Sequence, residues 1–180
     1  MEKTYCPPYV HSFPAPAVVV GCGTLEQPNL ITLSWIGTVC SEPQMVSISV
    51  RKSRLSHSLI SRNREFTVNL PRVQDLDIVK YCGANSGRDG NKFVALNLTP
   101  LPCPPLMHAP MIGEFFHTLA CRVNQVIELG SHDMFIADVV GIYHREQDRR
   151  KLRPDPHAED QIVYLDGMYW SLTGLNHTPA

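Results

Sequence analysis

The segment that most constrains the fold is residues 29–60, where two stretches of alternating polarity precede a short helical pattern. In residues 29–36, isoleucine, leucine and tryptophan share one face, and hydroxyl side chains take the other. Residues 45–51 alternate in the same way after a turn at residues 41–43. Alternation with a period of two is typical of strands that bury one face. The segment is therefore predicted to form two strands and then a helix that starts near Leu55.

The polar face of the second strand carries serines and ends in a cationic run, residues 51–54, at the start of the helix. Helix N-termini present free N–H groups and the positive end of the helix dipole, so they bind anions. Together with arginine, lysine and serine side chains, such a start would bind a phosphate. The alternative is a solvated strand edge and helix start with no ligand. The residues alone leave both interpretations open.

Size and charge exclude several classes of protein. A chain of 180 residues predicts one domain, with an extended lead-in at residues 1–14 and a charged surface loop at residues 145–160. A net charge of −1 indicates neither a nucleic-acid partner nor an anionic membrane surface. No run of about 18 apolar residues predicts a transmembrane helix. Because the start also lacks the apolar core of a signal peptide, we expect a cytoplasmic protein.

The residues that most often bind metals or form disulfides are scattered. The six cysteines include no C-x-x-C pair, and the eight histidines are dispersed. We therefore predict mostly reduced, partly buried cysteines and no metal site. There is also no G-x-G-x-x-G after a strand, no P-loop and no nucleophile elbow. A classical dinucleotide fold, a P-loop nucleotide site and hydrolysis by a catalytic triad are unsupported.

The rest of the chain alternates short strands with short helical patterns. The long crossover helices of a parallel sheet are missing, so the spacing favours an antiparallel barrel with seven to nine strands and two or three short helices. Further strands are predicted at residues 17–23, 65–70, 115–129, 134–144, 162–165 and 168–172. Helices are predicted at residues 55–63, 75–82 (ended by Gly83) and 92–96, hairpin connections at 25–28, 130–133 and 166–167, and an extended connection at 100–110.

Taken in order, several runs resemble the flavin reductase-like family of FMN-binding split β-barrel proteins, and especially its flavoredoxin branch. The order and spacing of the runs carry the resemblance, which extends from about Ala15 to Trp170. The runs are PNLITLSWIGTVCSEPQMVSISVRKSRLSHSLI, FTVNLP at residues 66–71, CGANSGRDGNKF at residues 82–93, SHDMFIADV at residues 131–139 and the closing IVYLDGMYW.

The resemblance implies a mainly β fold, an antiparallel six-stranded Greek-key split barrel with a few short flanking helices. It also implies a homodimer with FMN near the subunit interface. The isoalloxazine ring would be lined by Asn29, Thr32, Ser34 and Trp35. The ribityl chain and phosphate would be surrounded by Ser49, Arg51, Ser53, Arg54 and Ser56. Three further matches approach the cofactor in the family, namely Lys92, His132 and Tyr164.

One departure from the family pattern concerns His132. The family's hairpin commonly reads Gly-Asp-His, and here Ser131 stands in place of the acid. Asp133 is then the candidate for the charge that supports the histidine. Each residue also has an ordinary structural interpretation: Trp35 as a core or interface aromatic, His132 as an exposed turn residue and Lys92 as a helix-start cation.

The function implied by the resemblance is that of a flavoprotein oxidoreductase. The flavin carries the redox chemistry, and the protein supplies position and electrostatics. The protein would either pass electrons to a redox protein partner through tightly held FMN, or reduce flavin with NAD(P)H. His132 is the candidate proton donor, and no residue is assigned as a catalytic acid or base. The alternative from another class is a non-catalytic split-barrel protein that binds or senses flavin or haem.

Overall fold

A computed structural model of the protein describes residues 1, 3–8, 13–145 and 161–172. The helices of the described residues are α1 (Leu55–Asn63), α2 (Leu76–Ala84) and α3 (Lys92–Ala95), with a 3₁₀ turn at Val73–Asp75. The strands are β1 (Ala15–Pro16), β2 (Val18–Gly23), β3 (Pro28–Leu33), β4 (Ile36–Ser41), β5 (Gln44–Arg51), β6 (Glu65–Leu70), β7 (Pro100–Leu101), β8 (Met111–Ile112), β9 (His117–Glu128), β10 (His132–His144), β11 (Ile162–Leu165) and β12 (Met168–Ser171).

The main sheet is antiparallel, and its strands follow the order β3-β2-β6-β9-β10-β5-β4. The first six strands are the six expected of the barrel, and β4 adds a seventh beside β5. The Ser49 N–H donates to the Trp35 carbonyl at 3.0 Å, which extends the pairing of β4 with β5 by one residue. Smaller sheets pair β7 with β8 and place β11 between β1 and β12. The predicted mainly β, antiparallel split-barrel fold is confirmed.

The eight predicted strands all form, and the described residues contain four further strands, β1, β4, β7 and β8. Helix α1, strand β6 and the hairpin around Asp166-Gly167 are confirmed. The prediction of two strands in residues 29–60 was wrong in number, because β3 ends at Leu33 and β4 lies between it and β5. Strand β4 runs along the sheet edge with three consecutive exposed residues and a bulge after Thr38. An edge strand of this kind has no buried face, so its sequence does not alternate.

Several local boundaries also differ from the predictions. Gly83 does not end its helix: α2 continues to Ala84 and is followed by Asn85. Pro28 pairs with Gly23 as the first residue of β3, a position where a missing N–H is tolerated. The connection at residues 100–110 includes β7, which pairs with β8. His132 and Asp133 belong to β10 and not to the turn. Residues 146–160 of the predicted charged loop lie outside the described residues.

Two apolar clusters cover opposite faces of the main sheet. Successive residues of β2 enter different clusters: Val20 packs inside the barrel with Phe66 and Phe135, whereas Val19 packs under α2 and α3. The same alternation continues in β3. Apolar side chains therefore pack against both faces of β2 and β3. The polar ends of β3 and β5 lie beside the starts and ends of the helices.

The cysteines behave as predicted within the described residues. All six are free thiols, and four of them, Cys22, Cys82, Cys103 and Cys121, are buried. Burial raises the pKa of the Cys82 thiol to about 11 and that of Cys103 to about 12. The helices in the described ranges are all too short or too polar to cross a lipid bilayer.

Candidate functional site

Three adjoining cavities follow the polar side of β3. The first, of about 290 Å³, lies between β3, β5 and the start of β10. The second, of about 450 Å³, opens towards the β11–β12 hairpin. The third, of about 20 Å³, lies behind the start of α1. Gly83 lines all three, and Thr32 and Ser34 line the first two. We call these the central, hairpin and helix cavities.

The helix end of the central cavity is cationic. Arg51 and Arg54 both line it and are exposed. Arg54 occupies the N-cap position of α1, its side chain does not cap the helix, and the first turn of α1 carries no acidic residue. Free N–H groups at a helix start, with the dipole and two guanidinium groups, attract and hold an anion. The sequence predicts an anion site here, and the structure places both arginines beside this helix start.

Two aromatic rings also line the central cavity, next to Arg51. The rings of Trp35 and His132 lie 4.3 Å apart between centroids and are tilted by 38°. The pKa of His132 lies below its ordinary value, because burial disfavours the charged ring and because Arg51 lies nearby. His132 is therefore predominantly neutral at pH 7, with one ring nitrogen as donor and the other as acceptor.

The group that supports His132 is Ser131 and not Asp133. The Ser131 hydroxyl lies 2.8 Å from His132 Nδ1. The Asp133 carboxylate is directed to the other side of the strand, where it contacts His57 and Lys52. The expectation that Asp133 supplies the missing charge to His132 was wrong, because adjacent residues of a strand point to opposite faces. The pocket side of His132 thus keeps a neutral hydroxyl partner.

The helix cavity is lined by buried polar groups. Asn29 is 4% exposed, and its Nδ2 donates to Ser56 Oγ at 2.8 Å. Within the described ranges no group hydrogen-bonds to Asn29 Oδ1. Buried polar atoms without a partner are rare in proteins, and such an atom on a cavity wall can accept a hydrogen bond from a ligand or water.

Lys92 also reaches the helix cavity, but its ammonium is already engaged. Lys92 Nζ donates to the carbonyl oxygens of Leu30 at 2.8 Å and Cys82 at 2.9 Å. Burial lowers its pKa, since water no longer stabilises the charged form. Lys92 thereby joins α3 to β3 and α2 and holds the wall of the site. These two hydrogen bonds satisfy the buried ammonium group and explain how a lysine can be buried at the start of α3.

The hairpin cavity is framed by aromatic side chains. Tyr164 and Tyr169 face each other across β11 and β12, with ring centroids 5.3 Å apart. Burial, and then the nearby Tyr164, raises the pKa of Tyr169 above its ordinary value. On the facing wall the Thr32 hydroxyl donates to the Val79 carbonyl at 2.6 Å, which joins β3 to α2. The exposed Lys80 stands at the rim.

The structure brings together nearly the whole predicted set. Every residue predicted to bind the cofactor except Ser53 lines at least one of the three cavities. Ser53 is exposed in the turn before α1, and its carbonyl accepts a hydrogen bond from the Arg88 guanidinium at 3.0 Å. That guanidinium therefore braces the turn from the loop after α2.

Sequence reasoning missed several lining residues. Gly83 was interpreted as a helix end, and its position against Thr32, where an added Cβ would lie 3.5 Å from the Thr32 Cβ, depends on packing between helix and strand. Tyr169 and Ser131 also line the cavities. All three residues lie in the runs at 82–93, 131–139 and 162–170, which carried the family resemblance. No role in the site was predicted for any of the three individually.

Comparison with known proteins gives matches over most of the chain. Residues 10–173 match the family model described as the flavin reductase like domain. The flavoredoxin from Methanosarcina acetivorans superposes with a TM-score of 0.88 at 27% identity, over 100% of this chain and 95% of that one. The flavoredoxin of Desulfovibrio vulgaris (Miyazaki F) gives 0.86 at 26% identity, over 98% and 97%.

A functionally named relative is similar over a shorter length. The reductase component of a 4-nitrophenol 4-monooxygenase/4-nitrocatechol 2-monooxygenase from Rhodococcus opacus is 29% identical over 109 residues. The match covers 61% of this chain and 55% of that component. This chain is therefore similar to about half of that relative.

Proposed function

Because the chain belongs to the flavin reductase-like family, we propose that it is an FMN-binding oxidoreductase that carries electrons through the bound flavin. Its function is that of a flavin-related oxidoreductase, as the family and the named relatives support. The choice of FMN and of electron carriage is our proposal. The observation that carries it is the open start of α1 with Arg51 and Arg54 beside it.

FMN consists of a phosphate, a polyhydroxyl chain and a flat ring, and the cavities offer groups suited to each part. Arg51, Arg54 and the first N–H groups of α1 would hold the phosphate. The unpartnered Asn29 Oδ1 would accept a hydrogen bond from a hydroxyl of the ribityl chain. Small-molecule sites have volumes of roughly 300–1,000 Å³. The hairpin cavity, at about 450 Å³, lies in this range, and the central cavity, at about 290 Å³, lies at its lower limit.

The residues around the ring have positioning roles. When bound, the flavin would supply the electron-transfer chemistry. Trp35 supplies an aromatic wall, and Lys92 holds β3 and α2 in register through its two carbonyl contacts. The Ser131 hydroxyl is hydrogen-bonded to Nδ1 of His132, so Nε2 is the ring nitrogen available to exchange a proton within the cavity. We propose His132 as that proton donor, and we assign no other acid or base.

We also propose that the protein is a homodimer with a redox protein partner. The β11–β12 hairpin exposes Met168, Trp170 and Leu172 beside the hairpin cavity. Exposed apolar side chains grouped at a site favour an interface. Analytical ultracentrifugation at micromolar concentration should give the mass of two chains, and a single-chain mass would contradict the dimer.

The test of the proposed function combines binding with turnover. The purified protein should be yellow and keep its flavin through gel filtration. It should then pass electrons from NADH or NADPH, directly or through a ferredoxin-type partner, to an acceptor. Colourless protein that cannot be reconstituted with FMN would refute the proposal. Stable FMN binding without any turnover would favour a binding or sensing protein.

A further inference from the structure

A buried carboxylate joins three segments beneath the proposed phosphate seat. Asp133 Oδ2 lies 2.8 Å from His57 Nε2, and Asp133 Oδ1 lies 3.2 Å from Lys52 Nζ. The Leu129 N–H also donates to Oδ1, at 3.3 Å. The side chains of Asp133 and His57 are 7% and 17% exposed, whereas Lys52 is 48% exposed and also lies 3.9 Å from Glu128 Oε2. The His57 ring packs edge-on against Phe135, with centroids 5.3 Å apart.

Each partner of Asp133 belongs to a different part of the site. Lys52 lies in the turn between Arg51 and Arg54, which the Arg54 N–H closes by donating to the Arg51 carbonyl at 3.0 Å. His57 is the third residue of α1, and Leu129 follows the end of β9. Asp133 therefore holds the turn, the helix start and the β9–β10 hairpin in one arrangement.

We propose that Asp133 is a positioning residue that makes the site selective for phosphorylated flavin over riboflavin. This inference rests on the proposed function, since it concerns the same site. The carboxylate does not face the cavity. It acts through Lys52 and His57, which hold in place the turn that carries Arg51 and Arg54 and the start of α1 before a phosphate arrives. Preorganised donors bind more tightly than donors that must be ordered on binding.

The charge on Asp133 is essential to this role. Burial raises the pKa of Asp133, but hydrogen bonds from His57, Lys52 and the Leu129 N–H outweigh it and hold the pKa below its usual range. An asparagine of the same shape has no charge and only one acceptor oxygen, so its amide group must face either Lys52 Nζ, which can only donate, or His57 Nε2, which must then become the acceptor. In both orientations the ion pair with Lys52 is lost, and the carboxylate no longer accepts from both side chains at once.

The test measures the dissociation constants of FMN and riboflavin for the wild-type protein, Asp133→Asn and Asp133→Glu. In Asp133→Asn we expect the preference for FMN over riboflavin to fall at least about tenfold, with riboflavin affinity nearly unchanged. Asp133→Glu should restore part of that preference, since it keeps the charge. A general loss of folding would weaken both ligands, so the ratio isolates the positioning role.

A second pair of variants covers the case in which Asp133→Asn does not fold. His57→Ala should lower the FMN preference, and His57→Gln, whose amide can still donate to the carboxylate, should retain more of it. If the wild type prefers FMN and both Asp133→Asn and His57→Ala keep that preference, the inference is wrong while the proposed function stands. Wild-type protein that binds FMN no better than riboflavin would contradict both.

Discussion

Replacing Arg51 and Arg54 together with alanine should weaken FMN binding about thirtyfold. Hydrogen bonds to charged groups contribute about 1.5–3 kcal/mol each in protected sites. Both arginines are exposed, so solvent reduces each contribution to about 1 kcal/mol. Two such contributions give about 2 kcal/mol, or roughly a thirtyfold change in Kd. Binding should not be abolished, because the free N–H groups at the start of α1 remain.

Titration of FMN into the apoprotein, followed by quenching of flavin fluorescence, measures this change. Riboflavin, which lacks the phosphate, serves as the matched ligand, and its Kd should stay within about twofold. Arg62→Ala is the matched variant, because Arg62 is an exposed cation in the last turn of the same helix. Unchanged FMN affinity in the double variant, or an equal loss of riboflavin affinity, would show that the phosphate binds elsewhere.

Three further predictions follow from particular contacts. Gly87→Ala would place a Cβ 2.0 Å from Asn29 Oδ1, so it should lower the free energy of unfolding, measured in urea, by about 1–3 kcal/mol. Gly90→Ala, with open space around it, should have little effect. Equal free energies of unfolding for the two variants would refute the packing argument. In Arg51→Ala the pKa of His132, followed by NMR, should rise towards its ordinary value because a nearby positive charge is lost, and an unmoved titration would contradict that cause. Burial, and then the adjacent His144, lowers the pKa of His117 to about 4 from 6.5. The folded state therefore binds fewer protons than the unfolded state between these values. A shift of this size corresponds to roughly 3 kcal/mol, which the partial exposure of the ring reduces to about 2 kcal/mol. Stability should be complete above pH 6.5 and fall by about 2 kcal/mol as the pH drops to 4. His117→Gln should lose most of this dependence, and a wild-type stability that is flat over this range would be the contrary result.

Much of the fold could be predicted because most strands bury one face. The alternating runs at residues 45–51 and 65–70 carry that pattern into β5 and β6. Strand β4 could not be found in this way, since an exposed edge strand leaves no apolar period to detect. The end of α2 was misplaced for a related reason. A glycine at a helix end and a glycine packed against a strand have the same sequence signal.

The site was predictable where its residues are close in sequence. Strand β5 leads through the turn into α1, so the residues of the predicted anion site are continuous in the sequence. The contact between His57 and Asp133 joins residues 76 positions apart, and it forms because the β5–β10 pairing places the start of β10 beside the turn that leads into α1. The same applies to Tyr169, which reaches the site through a separate small sheet. Such long-range placement depends on the whole topology.

The identity of the compound that the purified protein releases on denaturation tests the central claim most directly. Protein prepared without added flavin should be passed through gel filtration, denatured and analysed by chromatography against FMN, FAD, riboflavin and haem. We predict that FMN is released in near-stoichiometric amount. Release of haem, or a colourless protein that takes up none of the added FMN, would contradict the assignment of this cleft as an FMN site.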